Sequence, residues 1–328
     1  MSRRLAVLMA GVLALAGVLA LVSANPPSAQ PHVYRIGLIN LGGPYAQVVD
    51  GLREGLRDLG LEEGKQYALL IRDTGGDLKA VERFAKALED DGVDVLFRAG
   101  SSVTVTAMKA TRRVPIVFHS GADPVTIGLV ENFRKPGGRL TGLTSQSRDL
   151  GPKRLEILKE IVPTIRRVAV FYNPSSPMQN SLRSIRDAAQ GLKLQLVERQ
   201  VRSVDELQAS LRALRPGEVD AIFYVGDAMV SSQAQTTIAV ANAKRLPTMY
   251  WEVGTVAMGA LASYGVSYRT IGHQTARYVQ RVLLGAKPGD LPVERVDRLH
   301  LALNLKTANA IGVTIPKAVL DRADEIIQ

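Results

Sequence analysis

The stretch Val93-Asp94-Val95-Leu96-Phe97-Arg98-Ala99-Gly100-Ser101-Ser102 decides how the rest of the chain is read. It predicts a short buried strand that runs into a glycine turn with two hydroxyls, followed by a helix over residues 103–111. The start of a helix presents unpaired backbone N–H groups and a partial positive charge, so this turn suits an anion. The same phrase returns as Val219-Asp220-Ala221-Ile222-Phe223-Tyr224-Val225-Gly226-Asp227-Ala228. After each copy come a polar helical segment and then a basic residue, an apolar residue and proline: Arg113-Val114-Pro115 and Arg245-Leu246-Pro247. The second copy puts a carboxylate, Asp227, where the first has hydroxyls.

Working outward, strand, turn and helix alternate from Tyr34 onward. Strands are predicted over residues 34–41, 67–72, 93–99 and 115–119, and helices over 46–59 and 78–90, the latter capped by Asp77. The run Gly137-Gly138-Arg139-Leu140-Thr141-Gly142 reads as the exit from a first domain. The cycle then restarts, with strands over 168–172, 193–199, 219–225, 247–251 and 258–264. Helices over 152–161, 178–190, 205–214 and 231–244 lie between them. Short apolar strands alternating with amphipathic helices imply parallel sheets covered on both faces. The chain therefore reads as two similar α/β halves. The helix over 268–284 has no strand partner left in the second half, and the tail adds a strand and a short helix started by Pro316. Such segments fit crossings back between lobes.

At 328 residues, with 46% apolar and 22% charged residues, the chain can bury two sizeable cores. It has no cysteine, which excludes disulfides, thiol catalysis and cysteine metal sites. The formal charge of +10 is spread singly along helices beside acids, without aromatic-interleaved basic runs or a DNA-reading motif. It reads as a solvated basic surface rather than a nucleic-acid interface. Arg3 and Arg4 precede an apolar run over residues 5–22 that ends in small residues, Val22-Ser23-Ala24. This layout predicts a cleavable signal peptide over residues 1–24, cut after Ala24, with 25–32 as a linker; the alternative is an uncleaved membrane anchor. Without a cysteine at the junction the product is not a lipoprotein, so a soluble periplasmic protein is expected.

The segments Gly51-Leu52-Arg53-Glu54-Gly55-Leu56-Arg57-Asp58-Leu59-Gly60, Val114-Pro115-Ile116-Val117-Phe118 with Asp123-Pro124-Val125, and Arg134-Lys135-Pro136-Gly137-Gly138 carry a resemblance. So do Lys153-Arg154-Leu155-Glu156-Ile157-Leu158-Lys159 and Ala308-Asn309-Ala310-Ile311-Gly312-Val313-Thr314-Ile315-Pro316. Over essentially the whole mature chain the sequence resembles the substrate-binding proteins of ABC importers, in the branch that includes aromatic amino-acid binders. The resemblance implies a type I periplasmic-binding-protein fold: two doubly wound parallel-sheet lobes joined by a multi-strand hinge, α/β in class. Residues 33–145 with 264–288 would form the N-terminal lobe, and 146–263 with 289–328 the C-terminal lobe. It also implies a monomer that takes a small-molecule ligand to an ABC permease, with no cofactor. Where the family has small apolar residues this chain has Arg98 and His119, which opens the ligand to a more acidic class such as a dicarboxylate or keto acid.

In open parallel sheets the ligand sits beyond the carboxyl ends of the strands. That rule selects Tyr45, Gly100, Ser101, Ser102, His119 and Asp123 from the first half. From the second it selects Asn173, Ser175, Ser176, Asp227, Tyr250, Trp251 and Tyr264. Gly100, Ser101 and Ser102 can donate to a carboxylate, or serve only as a helix cap. Asp227 can hold an ammonium group or cap its own helix. Tyr45, Tyr250 and Trp251 can stack on a ring or belong to the core. Arg98 can grip a carboxylate or pair with Asp94 or Asp123. His119 can touch the ligand or be a satisfied structural histidine. No metal site is expected, because His32, His273 and His300 are widely scattered. The sequence lacks the nucleophile elbow, zinc-helix and phosphate-loop motifs, so an exported enzyme is the weakest reading. A sensing receptor for a membrane kinase or chemoreceptor needs the same two-lobe clamp and stays open beside transport.

Overall fold

The computed structural model describes residues 32–145, 150–296 and 298–328. The signal peptide expected over 1–24 and all of the linker but His32 lie outside them. The first lobe is built on β1 (Tyr34–Asn40), β2 (Tyr67–Asp73), β3 (Val95–Ala99), β4 (Ile116–Ser120) and β5 (Leu140–Thr144). The second is built on β6 (Arg167–Tyr172), β7 (Gln195–Gln200), β8 (Ala221–Tyr224), β9 (Thr248–Glu252) and β10 (Ala262–Val266). Three short strands follow: β11 (Glu294–Arg295), β12 (His300–Asn304) and β13 (Glu325–Ile327).

The strands lie in the order β11-β5-β4-β3-β1-β2 in one sheet and β13-β12-β10-β9-β8-β6-β7 in the other. Reading β6 to β10 against β1 to β5, the two orders are the same, so the repeated phrase occupies the same strand of each sheet, β3 and β8. Every pairing is parallel except β10 with β12. In each sheet the order reverses beside the repeated strand, between β1 and β3 and between β6 and β8. Chain connections there leave to opposite faces, which opens a crevice at the strand ends.

Each sheet is buried on both faces, as a parallel sheet requires. In the first lobe the helices Ala46–Asp58 and Tyr268–Leu283 pack together, as do Leu78–Asp90 and Ser101–Ala110. The first pair crosses with no side chain between backbones. A Cβ on Gly51 would lie 1.9 Å from the Arg269 carbonyl oxygen, and one on Gly272 would lie 2.1 Å from that of Val48. That crossing explains two glycines inside helices, where glycine otherwise weakens the segment. In the second lobe Gly151–Ile161 packs with Leu182–Gly191, and Val204–Arg212 with Ala234–Ala243.

Several local expectations shift. Leu140–Thr144 is a fully buried strand of the first sheet rather than an exit loop. Its glycine misled the reading: Gly142 is there because a Cβ would lie 1.9 Å from the Phe118 carbonyl oxygen on the neighbouring strand. The helix expected over 231–244 is two helices, Ala228–Ser232 and Ala234–Ala243, and the first is capped by the Asp227 side chain. The lobe boundaries differ by a few residues. All of β10 belongs to the second sheet, so that crossing falls at Ser267, and Glu294–Arg295 pairs with the first sheet. The tail also adds the helix Leu305–Ile311 and the edge strand β13.

Candidate functional site

The carboxyl ends of the two sheets face one another across a small cavity. Tyr45, Gly100, Ser101, Ser102, His119 and Gly121 line it from the first lobe, and Tyr268 joins them from the crossing helix. Ser176, Met178, Gly226, Asp227, Ala228, Trp251 and Val266 line it from the second. The lobes touch at its rim. A Cβ on Gly43 would lie 2.7 Å from the Ser231 carbonyl oxygen, and one on Gly76 would lie 2.1 Å from Ser232 Oγ. Gln233 Nε2 donates to the Gly75 carbonyl at 3.5 Å. The clamp is closed.

Ser101 and Ser102 begin the helix Ser101–Ala110, which Gly100 enters at φ 104° without a side-chain cap. Its first-turn N–H groups therefore have no intrahelical acceptor. The two hydroxyls differ in their duties. Ser101 Oγ accepts from the Ala122 N–H at 3.0 Å and pairs with Ser120 Oγ at 2.9 Å, tying the helix start to the loop after β4. The Ser102 hydroxyl has no hydrogen-bond partner among the described residues.

Across the cavity, Asp227 Oδ1 accepts from the Met229 and Val230 N–H groups at 2.9 and 3.3 Å. Its Oδ2 is buried without a hydrogen-bond partner among the described residues. Burial raises the Asp227 pKa, while the Val230 N–H, the Ser176 side chain, the Met229 N–H and the Asn173 side chain work in the opposite direction. An incoming cation would remove the cost of leaving that oxygen unpaired.

The remaining wall is aromatic. Tyr45 and Tyr268 stack with centroids 4.6 Å apart, and Trp251 Nε1 donates to the Tyr268 hydroxyl at 3.4 Å. His119 meets Tyr268 edge-on, with ring centres 6.3 Å apart. It is 3% exposed, and neither ring nitrogen has a partner among the described residues. Burial lowers its pKa to about 3, so the imidazole is neutral at physiological pH.

Of the expected site residues, Tyr45, Gly100, Ser101, Ser102, His119, Ser176, Asp227 and Trp251 line the cavity together. Six do not. Arg98 is fully buried in the first lobe, where its guanidinium donates to the carbonyls of Phe97 and Gly37. Strand alternation is the reason, since Arg98 and His119 lie on neighbouring strands one register position apart. The same alternation separates Tyr250 from Trp251: the Tyr250 hydroxyl pairs with Thr237 Oγ1 at 2.6 Å inside the second lobe. Asp123 Oδ1 caps its own turn, accepting from Val125 and Thr126 N–H at 2.9 and 2.8 Å. Asn173 Oδ1 accepts from the Ser175 N–H at 2.9 Å, which shapes the loop after β6 and leaves Ser175 exposed. Tyr264 sits mid-strand, its carbonyl accepting from Arg154 Nε at 2.6 Å.

A family model for ABC transporter substrate binding proteins matches residues 41–327. The chain belongs to that family. This substrate-binding protein is 28% identical over 264 residues to a "Tyrosine-binding protein" of Clostridioides difficile, covering 80% of this chain and 76% of the relative. A crystal structure of a conserved domain protein from Vibrio cholerae is 30% identical, covers 90% of this chain and all of the other, and superposes with a TM-score of 0.81. A structure from Streptococcus pneumoniae, solved in complex with L-Trp, superposes at 0.80 with 24% identity and 90% coverage, and shows the shared fold.

Within this substrate-binding protein, sequence reasoning missed Gly121, Met178, Ala228, Val266 and Tyr268 at the cavity. A signal existed for the last two. Ser267 is a good helix cap, and its Oγ accepts from the Thr270 N–H. Extending the preceding strand to that cap, as β10 does, puts Val266 and Tyr268 at a strand end. Among the described residues no cluster of three metal-ligating side chains occurs, and no helix is long and apolar enough to cross a membrane.

Proposed function

We propose that this protein is an exported receptor that closes its lobes on one amino-acid zwitterion and presents the closed form to an ABC permease. One observation carries the reading: the unpartnered Asp227 Oδ2 and the uncapped start of the helix Ser101–Ala110 line the same closed cavity from opposite lobes. The carboxylate suits an α-ammonium group. The helix start, with the free Ser102 hydroxyl, suits an α-carboxylate. Because each end of the zwitterion satisfies a different lobe, bound ligand would favour closure by differential contact.

Electrostatics argue against a more acidic ligand. Arg98 donates to its own lobe's backbone, His119 is neutral, and Asp227 is an acidic side chain, not a basic one, in the lining. A second carboxylate would be desolvated there with no cation among the described lining residues to meet it. The aromatic wall of Tyr45, Tyr268 and Trp251, and the names of the relatives, support an amino acid with an aromatic side chain. Isothermal titration of the mature protein against the twenty L-amino acids tests the reading. Micromolar or tighter binding of one or a few members is expected, and silence across the panel would overturn it.

A further inference from the structure

Both nitrogens of the His119 ring are buried in the cavity wall without a hydrogen-bond partner among the described residues. An unmet buried polar atom destabilises the fold, and an imidazole with two of them is costly unless a ligand supplies the partners. We propose that His119 selects the ligand by hydrogen-bonding an uncharged polar group on its side chain. This inference rests on the amino-acid reading above and refines it.

Three observations support it. Edge-on packing against Tyr268 places His119 with the aromatic wall. Asp227 and the helix start already answer the two charges of a zwitterion, so the imidazole is left for a third group. Finally, burial keeps the ring neutral, with one nitrogen donating and the other accepting, so it suits a hydroxyl or indole N–H and not a carboxylate. A site built to hydrogen-bond a substrate group rejects the analogue that lacks it more strongly than an apolar pocket rejects a size change.

The pair L-tyrosine and L-phenylalanine differs by one hydroxyl and isolates the effect. Titration calorimetry of the mature protein should give at least tenfold tighter binding of L-tyrosine. In His119→Leu that ratio should fall to within threefold of one, and in His119→Gln, which keeps a neutral donor and acceptor, a preference above threefold should survive. Thermal melts establish that each variant folds, and if the leucine variant does not, the glutamine variant decides alone. Equal wild-type affinities overturn the inference and leave the amino-acid reading standing. So does a leucine variant that weakens both ligands by the same factor, which would mark His119 as a contact to their shared backbone. Binding only of amino acids without an uncharged polar side-chain group has the same meaning. Binding of another amino acid that carries one moves the same His119 variants to that ligand and its apolar analogue, and silence across all twenty removes both readings.

Discussion

Trp251, at the end of a second-lobe strand, donates its indole N–H to the hydroxyl of Tyr268, which opens a helix of the first lobe, at 3.4 Å. Tyr268 in turn stacks on Tyr45. The aromatic wall of the cavity is thus assembled from both lobes and from the segment that crosses between them.

Replacing Asp227 with Asn separates charge from capping. Asparagine still offers Oδ1 to Met229 N–H, and it caps helices about as well as aspartate. The melting temperature should move little, while the amino-acid affinity should fall by roughly thirtyfold or more through loss of a buried charge pair. Calorimetry beside a thermal melt measures both.

The two serines should behave differently. Ser101→Ala strands the Ala122 N–H and leaves Ser120 Oγ with only its bond to the Ala122 carbonyl, and should destabilise the protein by about 1–3 kcal/mol in urea melts. Ser102→Ala breaks no internal bond. Its effect should be on affinity, by about tenfold, with an unchanged denaturation midpoint.

Gly51→Ala and Gly272→Ala each force a methyl into backbone on the partner helix. Overpacking of this kind costs about 1–3 kcal/mol and more where the obstacle is backbone. Both variants should lose at least that much in denaturant titrations, although alanine favours helix at an open site. A neutral or stabilised Gly51→Ala would contradict the crossing described above.

Two buried groups should tilt the pH dependence of stability in opposite directions. Burial raises the Glu252 pKa from 4.5 to about 7, against hydrogen bonds from the Gly254, Tyr268 and Thr255 N–H groups and with a small push from Glu325. The folded protein binds that proton more tightly, so this contribution falls as pH rises from 4.5 to about 7, by about 3 kcal/mol at most. His119 is displaced downward from 6.5 to about 3, so its contribution is lost as pH falls through that window. Melting curves of Glu252→Gln should therefore gain on wild type as pH rises toward 7. His119→Gln should gain as pH falls below 6.5.

Much of the architecture was legible because it rests on local periodicity. Alternating short apolar runs and amphipathic helices identified both sheets, and the echo of residues 93–102 at 219–228 marked strands that do occupy equivalent places, β3 and β8. Asp77 was readable as a cap because an Asx side chain acts on its own backbone two residues on, here Lys79 N–H at 2.8 Å. Leu140–Thr144 was not readable. Its glycine looks like a turn until the Phe118 carbonyl is seen against it, and that contact spans 24 residues of sequence.

The candidate site divides along the same line. From the sequence alone came the strand ends, the helix start after Gly100 and the carboxylate at Asp227, since each follows from where a strand stops and a helix begins. Which face a strand-end side chain takes was left to the tertiary structure. A displacement of one residue sends Arg98 and Tyr250 into the lobes and His119 and Trp251 into the cavity. Only packing decided, too, that Ser101 is bound within its lobe while Ser102 stays free, and that burial makes His119 a neutral hydrogen-bonding group. Charge state and orientation depend on what surrounds a residue, and those surroundings come from distant parts of the chain.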